Sequence, residues 1–495
     1  MKRSVFSTRI FYSAISIGCF CAYLLFRFVI DPSVLLRFVH TSDPDWTTIY
    51  DHLAVYLRSG LLVISGIFFA LALFSKLVQK FFNRVLALRR TLFLVSIILL
   101  ESVLCLLWLV IFQPALWADG ITYHRLAVGL ANGLGYVGES GNPTAYYPIG
   151  YPFLLSLFYR LFGSGLWVGW LVNILLLLGS LLMLFRVFEA VWNERTARIG
   201  MLLLVFAVSL VSYVGIHFSE LAFLFFMSIA LMLMVREKSI STGFGRAILI
   251  GIALGIATLI RPVALLLPLA WGIAQIQFRL PVRIVSTRLL MIYAVTIIIL
   301  LPNIIRNVVV FNEFIPVSTN GGVNFWIGNN PDATGYYISP APAHLSGNEV
   351  EQSAQAYRLG MQWILSHPFD AAVNLGKKFV HLYHRDDQGV LFSLVRSVHE
   401  IPWFAGMVAV LLDNIGYYAI LCLCVSYIIR KRKKISVHEY FLIIVCAGVT
   451  GFYLLYFGAH RFHFPLVPIF AGFAAAMLNE AAGSTSDKSS LRTAN

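Results

Sequence analysis

Stretches of close to twenty apolar residues recur along the chain, among them "TLFLVSIILLESVLCLLWLVIF" at 91–112 and "LWVGWLVNILLLLGSLLMLF" at 166–185. A helix needs about 20 such residues to cross the hydrocarbon of a bilayer. Of the 495 residues 59% are hydrophobic and 12% charged, whereas soluble domains carry about 25% charged residues and cannot hide so much apolar area in one core. The chain therefore reads as an all-α polytopic membrane protein.

Setting apolar runs against basic loops gives about twelve spans, near 10–30, 53–75, 91–113, 166–187, 199–216, 220–235, 246–261, 263–278, 289–305, 404–429, 440–457 and 464–480. Lys and Arg collect on the cytoplasmic side of such proteins. With Lys2 and Arg3 inside, the basic loops at 76–90, 195–198, 236–238, 279–288 and 430–434 all fall on that same side. The acidic loop "DPSVLLRFVHTSDPDW" and the stretch after Asp119 then fall outside. The start, "MKRSVFSTRIFYSAISIGCFCAYLLF", has the basic end and apolar run of a signal peptide without a small-residue cleavage site, which predicts an uncleaved anchor.

The net charge of +14 is explained by those loops, and no basic patch interleaved with aromatics points to nucleic acid. The six cysteines lie within apolar runs at spacings that match no metal or redox motif. They are read as small hydrophobes.

Two outer segments, 113–165 and 307–403, are longer than a connection requires, and long loops in compact proteins tend to be functional. The first holds "NPTAYYPIGYPFLLSLFYRLFG", a proline–glycine turn before a short amphipathic helix suited to the membrane interface. The second opens with "FNEFIPVSTNGGVNFWIGNNPDATGYY" and turns helical from about Glu349 to His381, with a break at "HPFD". Tyr357, Met361 and Ile364 are expected on one face of its first helix, and Val373, Gly376 and Val380 line the second, which carries Lys377 and Lys378. The polar tail at 481–495 is expected to be disordered and cytoplasmic.

Ionisable residues at the ends of apolar runs are the chemical candidates. Arg261, in "LGIATLIRPVALLLPL", either snorkels to headgroups or binds a phosphate at the outer rim. Glu220 follows Ser219, so a capped helix start and a functional acid are both open. Arg461, with His460 and His463, forms a cationic cluster in "GAHRFHFPLVP". "HLYHRDD" offers His381, His384, Asp386 and Asp387, a weak zinc spacing at best. Asp119 is either the cap of a helix starting at Ile121 or a base at the outer mouth, in the company of Tyr123, His124, Arg125 and, further along, Glu139.

Four motifs in order, "WADGITYHRLAVGLANGLGY...NPTAYYPIGYPFLLSLFYRLFG", "IRPVALLLP", "GGVNFWIGNNPDATGYY" and "GAHRFHFPLVPIFAG", resemble the bacterial GT-C glycosyltransferases. That family uses polyprenyl-phosphate sugars and includes protein O-mannosyltransferases and the lipid A aminoarabinose transferase. The resemblance covers residues from about 91 to 479 and implies a GT-C-like bundle at 91–480, with a two-helix extension at 1–90. It also implies an acid at Asp119 that activates or orients the acceptor, a lipid-phosphate contact at Arg261, and outer loops that close over the sugar. Many relatives carry Asp-Glu at the first site, where this chain has Asp119–Gly120.

The expected reaction is transfer of a sugar from a polyprenyl-phosphate donor to an extracytoplasmic hydroxyl on a glycan, lipid or protein, with inversion, at a bacterial inner membrane. Asp119, Glu139 and Glu220 are the candidate acids. Arg261, Arg461, Lys377 and Lys378 are candidates for the phosphate, and Tyr123, His124, Tyr147, Asn329, Asn330 and His463 for loops that hold substrate. No cofactor is expected, with a divalent metal left open, and the partners are the lipid-linked donor, the acceptor and membrane lipids. A secondary transporter is the first rival, although the polar residues gather at the outer rim rather than in repeated halves. A non-catalytic lipid-binding assembly protein is the second.

Overall fold

The computed structural model describes residues 75–236, 244–338 and 345–491, with scattered residues before 75. Every regular element of more than an isolated bridge among the described residues is a helix. Among the described residues six helices are long and apolar enough to cross a membrane, seven if a bent pair counts as one, and Glu220–Val235, Phe244–Ile260 and Leu266–Gln277 are shorter apolar helices. The spans expected at 10–30 and 53–75 lie largely outside the described residues.

The chain divides into two units, Met1–Ser96 with Trp403–Gly416, and Ile97–Pro402 with Tyr417–Asn495. In the first, Ser16 and Ser65 are buried and each donates its hydroxyl to the other's carbonyl, at 2.9 and 2.8 Å. Where no water reaches, such reciprocal bonds satisfy polar groups that would otherwise be stranded.

In the second unit, the expected span at 199–216 is a broken one. Glu194–Val205 and Val208–Gly215 meet at 56°. Backbone groups left open where the second arm ends in hydrocarbon need a partner from the protein. Asn173, buried in helix Leu166–Val191, donates its amide to the carbonyls of Val214 and Ile216 at 3.1 and 2.8 Å and accepts from the Tyr151 hydroxyl at 3.1 Å. Trp170 donates to the Gly215 carbonyl at 3.1 Å. From this anchored end the chain runs through Ser219 into helix Glu220–Val235.

Helix Phe244–Ile260 packs along helix Val282–Phe311 through glycines. A Cβ at Gly251 would lie 2.6 Å from Val295 and 2.8 Å from the Ile292 carbonyl, so only a small residue admits this approach. A Cβ at Gly150 would lie 2.7 Å from the Leu259 carbonyl, so the start of helix Gly150–Phe162 sits directly against the end that carries Arg261.

The second outer segment forms helices Asn320–Gly328, Glu349–Ser366 and Pro368–Tyr383. A capping box of Asn348 and Glu351 starts the middle one, and Pro368 starts the next at a position where its missing N–H costs nothing. The buried face of Glu349–Ser366 is Ala356 and Gly360, not Tyr357 and Met361, which are exposed. The reason is close packing on Asn320–Gly328, where a Cβ at Gly360 would lie 2.7 Å from the Phe325 ring. On Pro368–Tyr383 the buried residues are Asn374, Lys378, His381 and Leu382, while Val373 is exposed. The last helix, Val467–Leu491, continues well into the tail expected to be disordered.

Candidate active site

Helix Asp119–Ala131 begins after Ala118, whose φ of 44° turns the chain sharply out of the preceding span. Asp119 is the first helical residue and its carboxylate caps no backbone N–H. It accepts instead from the Tyr147 hydroxyl at 3.0 Å and from the Arg461 guanidinium at 2.8 Å. Burial alone would raise its pKa, but the charge and hydrogen bond of Arg461, with the bond from Tyr147, outweigh this and hold the carboxyl below its ordinary value. Tyr147, buried beside that carboxylate, is pushed the other way and stays a hydrogen-bond donor.

Arg261 follows helix Phe244–Ile260 directly and is held from three sides. Its Nε donates to the Ser219 hydroxyl at 3.1 Å, Nη1 to the Tyr453 hydroxyl at 3.3 Å, and Nη2 pairs with Glu220 at 2.7 Å. Glu220 is fully buried, and Ser219 caps no backbone N–H, so the capping reading gives way to one in which both residues fix the arginine. Arg461 sits in the short turn His460–Phe462, whose backbone N–H at Arg461 donates to the Gln388 side chain at 3.1 Å.

Asp119, Arg261 and Arg461 face one cavity of about 1000 Å³. They are the only Asp, Glu, Lys, Arg or His among the described residues that line it. The rest of the wall is uncharged, a mixture of aliphatic and aromatic side chains with a few amides and hydroxyls, including Trp117, Tyr336, Tyr453, Asn320, Asn324 and Gln388. A pocket of this size, mostly apolar with a few convergent polar groups, is the usual form of a ligand site.

Of the other sequence candidates, Tyr123 and Tyr147 line the cavity, their rings edge to face at 5.2 Å. Glu139 lies away from it, highly exposed and paired with Arg125. His124 bonds the Tyr159 hydroxyl at 2.9 Å outside the wall. Lys377 does not line the cavity either.

Lys378 is buried, with its ammonium on the Asn329 side-chain oxygen at 2.8 Å and the Leu454 carbonyl at 3.2 Å, and burial pulls its pKa down to about 7. Asn329 is thereby committed, its amide donating to Phe325 and Leu455. Asn330 closes the end of its helix on the carbonyls of Trp326 and Ile327. His463, between the rings of Tyr383 and Tyr417, bonds Asp386 at 3.0 Å. These residues build the scaffold rather than the cavity surface.

The "HLYHRDD" stretch has the same structural role. Asp387 pairs with Arg385 at 2.5 Å and Asp386 with His463. Among the described residues no group of three His, Cys, Asp or Glu is placed to hold a metal ion.

Sequence reasoning missed the residues that connect the two outer segments. Glu349 accepts from the Thr144 hydroxyl at 2.7 Å and the Ala145 N–H at 2.6 Å. Arg306 donates to the carbonyls of Thr144 and Tyr136 at 2.7 and 2.9 Å. Together they hold the irregular segment that presents Tyr146 and Tyr147 to the cavity. Tyr453 and Gln388 were missed too, and Ser219 was read only as a cap, since an uncharged side chain at the end of an apolar run gives no compositional signal.

Residues 147–305 match the family model described as dolichyl-phosphate-mannose-protein mannosyltransferase. No curated protein sequence matches the chain. Among solved structures, the oligosaccharyltransferase of Archaeoglobus fulgidus in its apo form is similar at 15% identity and a TM-score of 0.50, over 82% of this chain and 52% of that one. The same enzyme, AglB, in complex with an inhibitory peptide and a dolichol-phosphate gives 14%, 0.49, 81% and 52%. ArnT from Cupriavidus metallidurans bound to undecaprenyl phosphate gives 14%, 0.40, 79% and 77%. The chain spans about half the length of the archaeal enzyme, and at these identities the likeness is one of fold.

Proposed function

We propose that this chain, an integral membrane protein with the GT-C glycosyltransferase fold, transfers a sugar from a polyprenyl-phosphate donor to an acceptor hydroxyl on the extracytoplasmic side of a bacterial inner membrane. The observation that carries the reading is the convergence of one carboxylate and two guanidiniums, distant in sequence, on a single cavity. The family match supports a lipid-linked donor, and its residues 147–305 include Tyr147, Ser219, Glu220 and Arg261.

The donor's prenyl tail lies in the membrane and its phosphodiester enters beside Arg261 and Arg461. Planar, permanently charged guanidiniums suit phosphate oxygens. As the phosphate draws Arg461 toward itself, the Asp119 carboxylate loses the partner that holds its proton affinity low and becomes the better base. The acceptor O–H gives its proton to Asp119, its oxygen attacks the anomeric carbon, and the bond from that carbon to the phosphate oxygen breaks. The electron pair leaves with the lipid phosphate, whose added charge the two arginines stabilise. A single displacement through an oxocarbenium-like transition state inverts the anomeric centre.

The test is Asp119→Asn in purified protein supplied with a radiolabelled polyprenyl-phosphate sugar and a cell-envelope acceptor fraction. Transfer should fall by about 10²–10⁴-fold, the range of general-base catalysis, while the donor still binds. Transfer at the wild-type rate would remove Asp119 from the mechanism.

A further inference from the structure

We infer that Arg396 is a positioning residue for Asp119, acting through Trp117, and that the short helix before it, Gln388–Val395, braces both members of the Asp119–Arg461 pair. The inference rests on the base role proposed for Asp119 and concerns what aims that carboxylate.

The brace is itself seated on two apolar helices. The Ser393 hydroxyl accepts from the Trp108 indole at 3.1 Å, and a Cβ at Gly389 would collide with the Ser212 side chain. Phe392 meets the Phe218 ring edge to face at 5.4 Å. So anchored, the helix holds the ion pair from both of its ends. Gln388, its first residue, accepts from the Arg461 backbone N–H at 3.1 Å. Directly after its last residue, the Arg396 guanidinium lies 3.4 Å from the centre of the Trp117 ring. The Arg396 carbonyl accepts from the Ala115 N–H at 2.9 Å, and Pro114 and Ser397 form an antiparallel bridge.

What these contacts hold is a strained piece of chain. Four non-glycine residues among those described have φ in the left-handed range, and two of them, Gln113 at 40° and Ala118 at 44°, bracket Pro114–Trp117. Such backbone persists only where its surroundings impose it. Trp117 is the last residue before the strained turn into Asp119, and its carbonyl accepts from the Gly120 N–H at 2.8 Å. A guanidinium over an indole is held by the negative face of the ring. The Arg396 Nε is buried and makes no hydrogen bond, so the indole is what fixes this side chain.

The brace matters most with donor bound. Once the phosphate draws the Arg461 guanidinium toward itself, Asp119 keeps one of its two hydrogen bonds, that from Tyr147. The backbone from Trp117 to Gly120 then sets where the carboxylate points. A misplacement of about 1 Å at a reacting group can cost about 10²-fold in rate.

The experiment is Arg396→Ala in the purified full chain, which removes the guanidinium and leaves the backbone bond to Ala115. Hydrogen exchange at the Gly120 amide should quicken about ten-fold or more. With a radiolabelled polyprenyl-phosphate sugar, kcat should fall about ten-fold or more while donor affinity is kept. The acid limb of kcat/KM, which reports the free enzyme, should move to higher pH as Asp119 drifts from Arg461. Trp117→Leu keeps the cation and should move the limb the same way, which separates positioning from the field of the charge. Arg396→Lys keeps a cation over the ring and should restore most of the rate. Unchanged exchange at Gly120 overturns the inference, as does a fall in kcat with an unmoved limb or an Arg396→Lys variant as slow as Arg396→Ala. Transfer at the wild-type rate by Asp119→Asn instead overturns the base reading, and the inference falls with it even where the Gly120 exchange quickens.

Discussion

The Arg461 guanidinium lies 2.8 Å from the Asp119 carboxylate, across 342 positions of sequence. The pair closes the site between the first outer segment and the turn that opens the last span. It also sets the acid's proton affinity, and a pH dependence follows. Asp119 has its pKa lowered in the folded protein, so it is ionised above its depressed value, and both the base role proposed for it and its contribution to stability should be lost as pH falls through that value. Arg461→Gln should return the pKa upward and move the acid limb of the kcat/KM profile to higher pH. An unmoved limb in that variant would show that the arginine does not control the acid.

Glu220 is expected to act through Arg261. Removing one partner of a buried pair leaves an unmatched charge and costs about 3–5 kcal/mol. Glu220→Gln should therefore lower the melting temperature in detergent and weaken donor binding. If Glu220 were itself the proton acceptor, kcat would collapse at unchanged stability and unchanged donor affinity. Glu139→Gln, on an exposed pair with Arg125, should alter stability by less than about 0.5 kcal/mol and leave transfer intact.

Burial holds Lys378 near a pKa of about 7, against about 10.4 for an unfolded lysine. Between these values the unfolded chain binds the extra proton, so stability rises with pH across that window. Below about 7 the folded chain carries the ammonium too, and the penalty is constant. The melting temperature of wild type relative to Lys378→Met should increase from pH 6 to pH 9. A difference that is flat across this range would show that the lysine keeps its ordinary proton affinity.

Glu349 holds the segment that carries Tyr146 and Tyr147 through bonds to Thr144 and Ala145. Hydrogen bonds to charged groups contribute about 1.5–3 kcal/mol. Glu349→Ala should speed hydrogen exchange at the Ala145 amide by about ten-fold or more and reduce transfer, with donor affinity kept. Unchanged exchange at that amide would show that Arg306 suffices to hold the segment.

The membrane class, the helical fold and the likeness to GT-C glycosyltransferases were legible because they depend on long runs of one character. Asp119, Arg261 and Arg461 were legible for the opposite reason, since a charge at the end of an apolar run stands out. What a charge is bonded to is not written in its neighbourhood. Ser219 looked like a helix cap and serves Arg261 instead. Lys378 stands with Lys377 among the candidates for the phosphate, yet it reaches inward to Asn329, because neighbouring residues on a helix point about 100° apart. The break at 205–208 reads in the sequence as one continuous span, since apolar residues fill both arms.

The Asn173 amide has a mechanical consequence. Asn173 joins the Tyr151 hydroxyl to two carbonyls on the far side of the break. Water could take over these bonds in a soluble protein, but acyl chains have nothing to offer in exchange. The end of the second arm is thus riveted to helix Leu166–Val191. The chain leaves that rivet directly into Ser219, so a membrane helix anchors the approach to one of the side chains that hold Arg261.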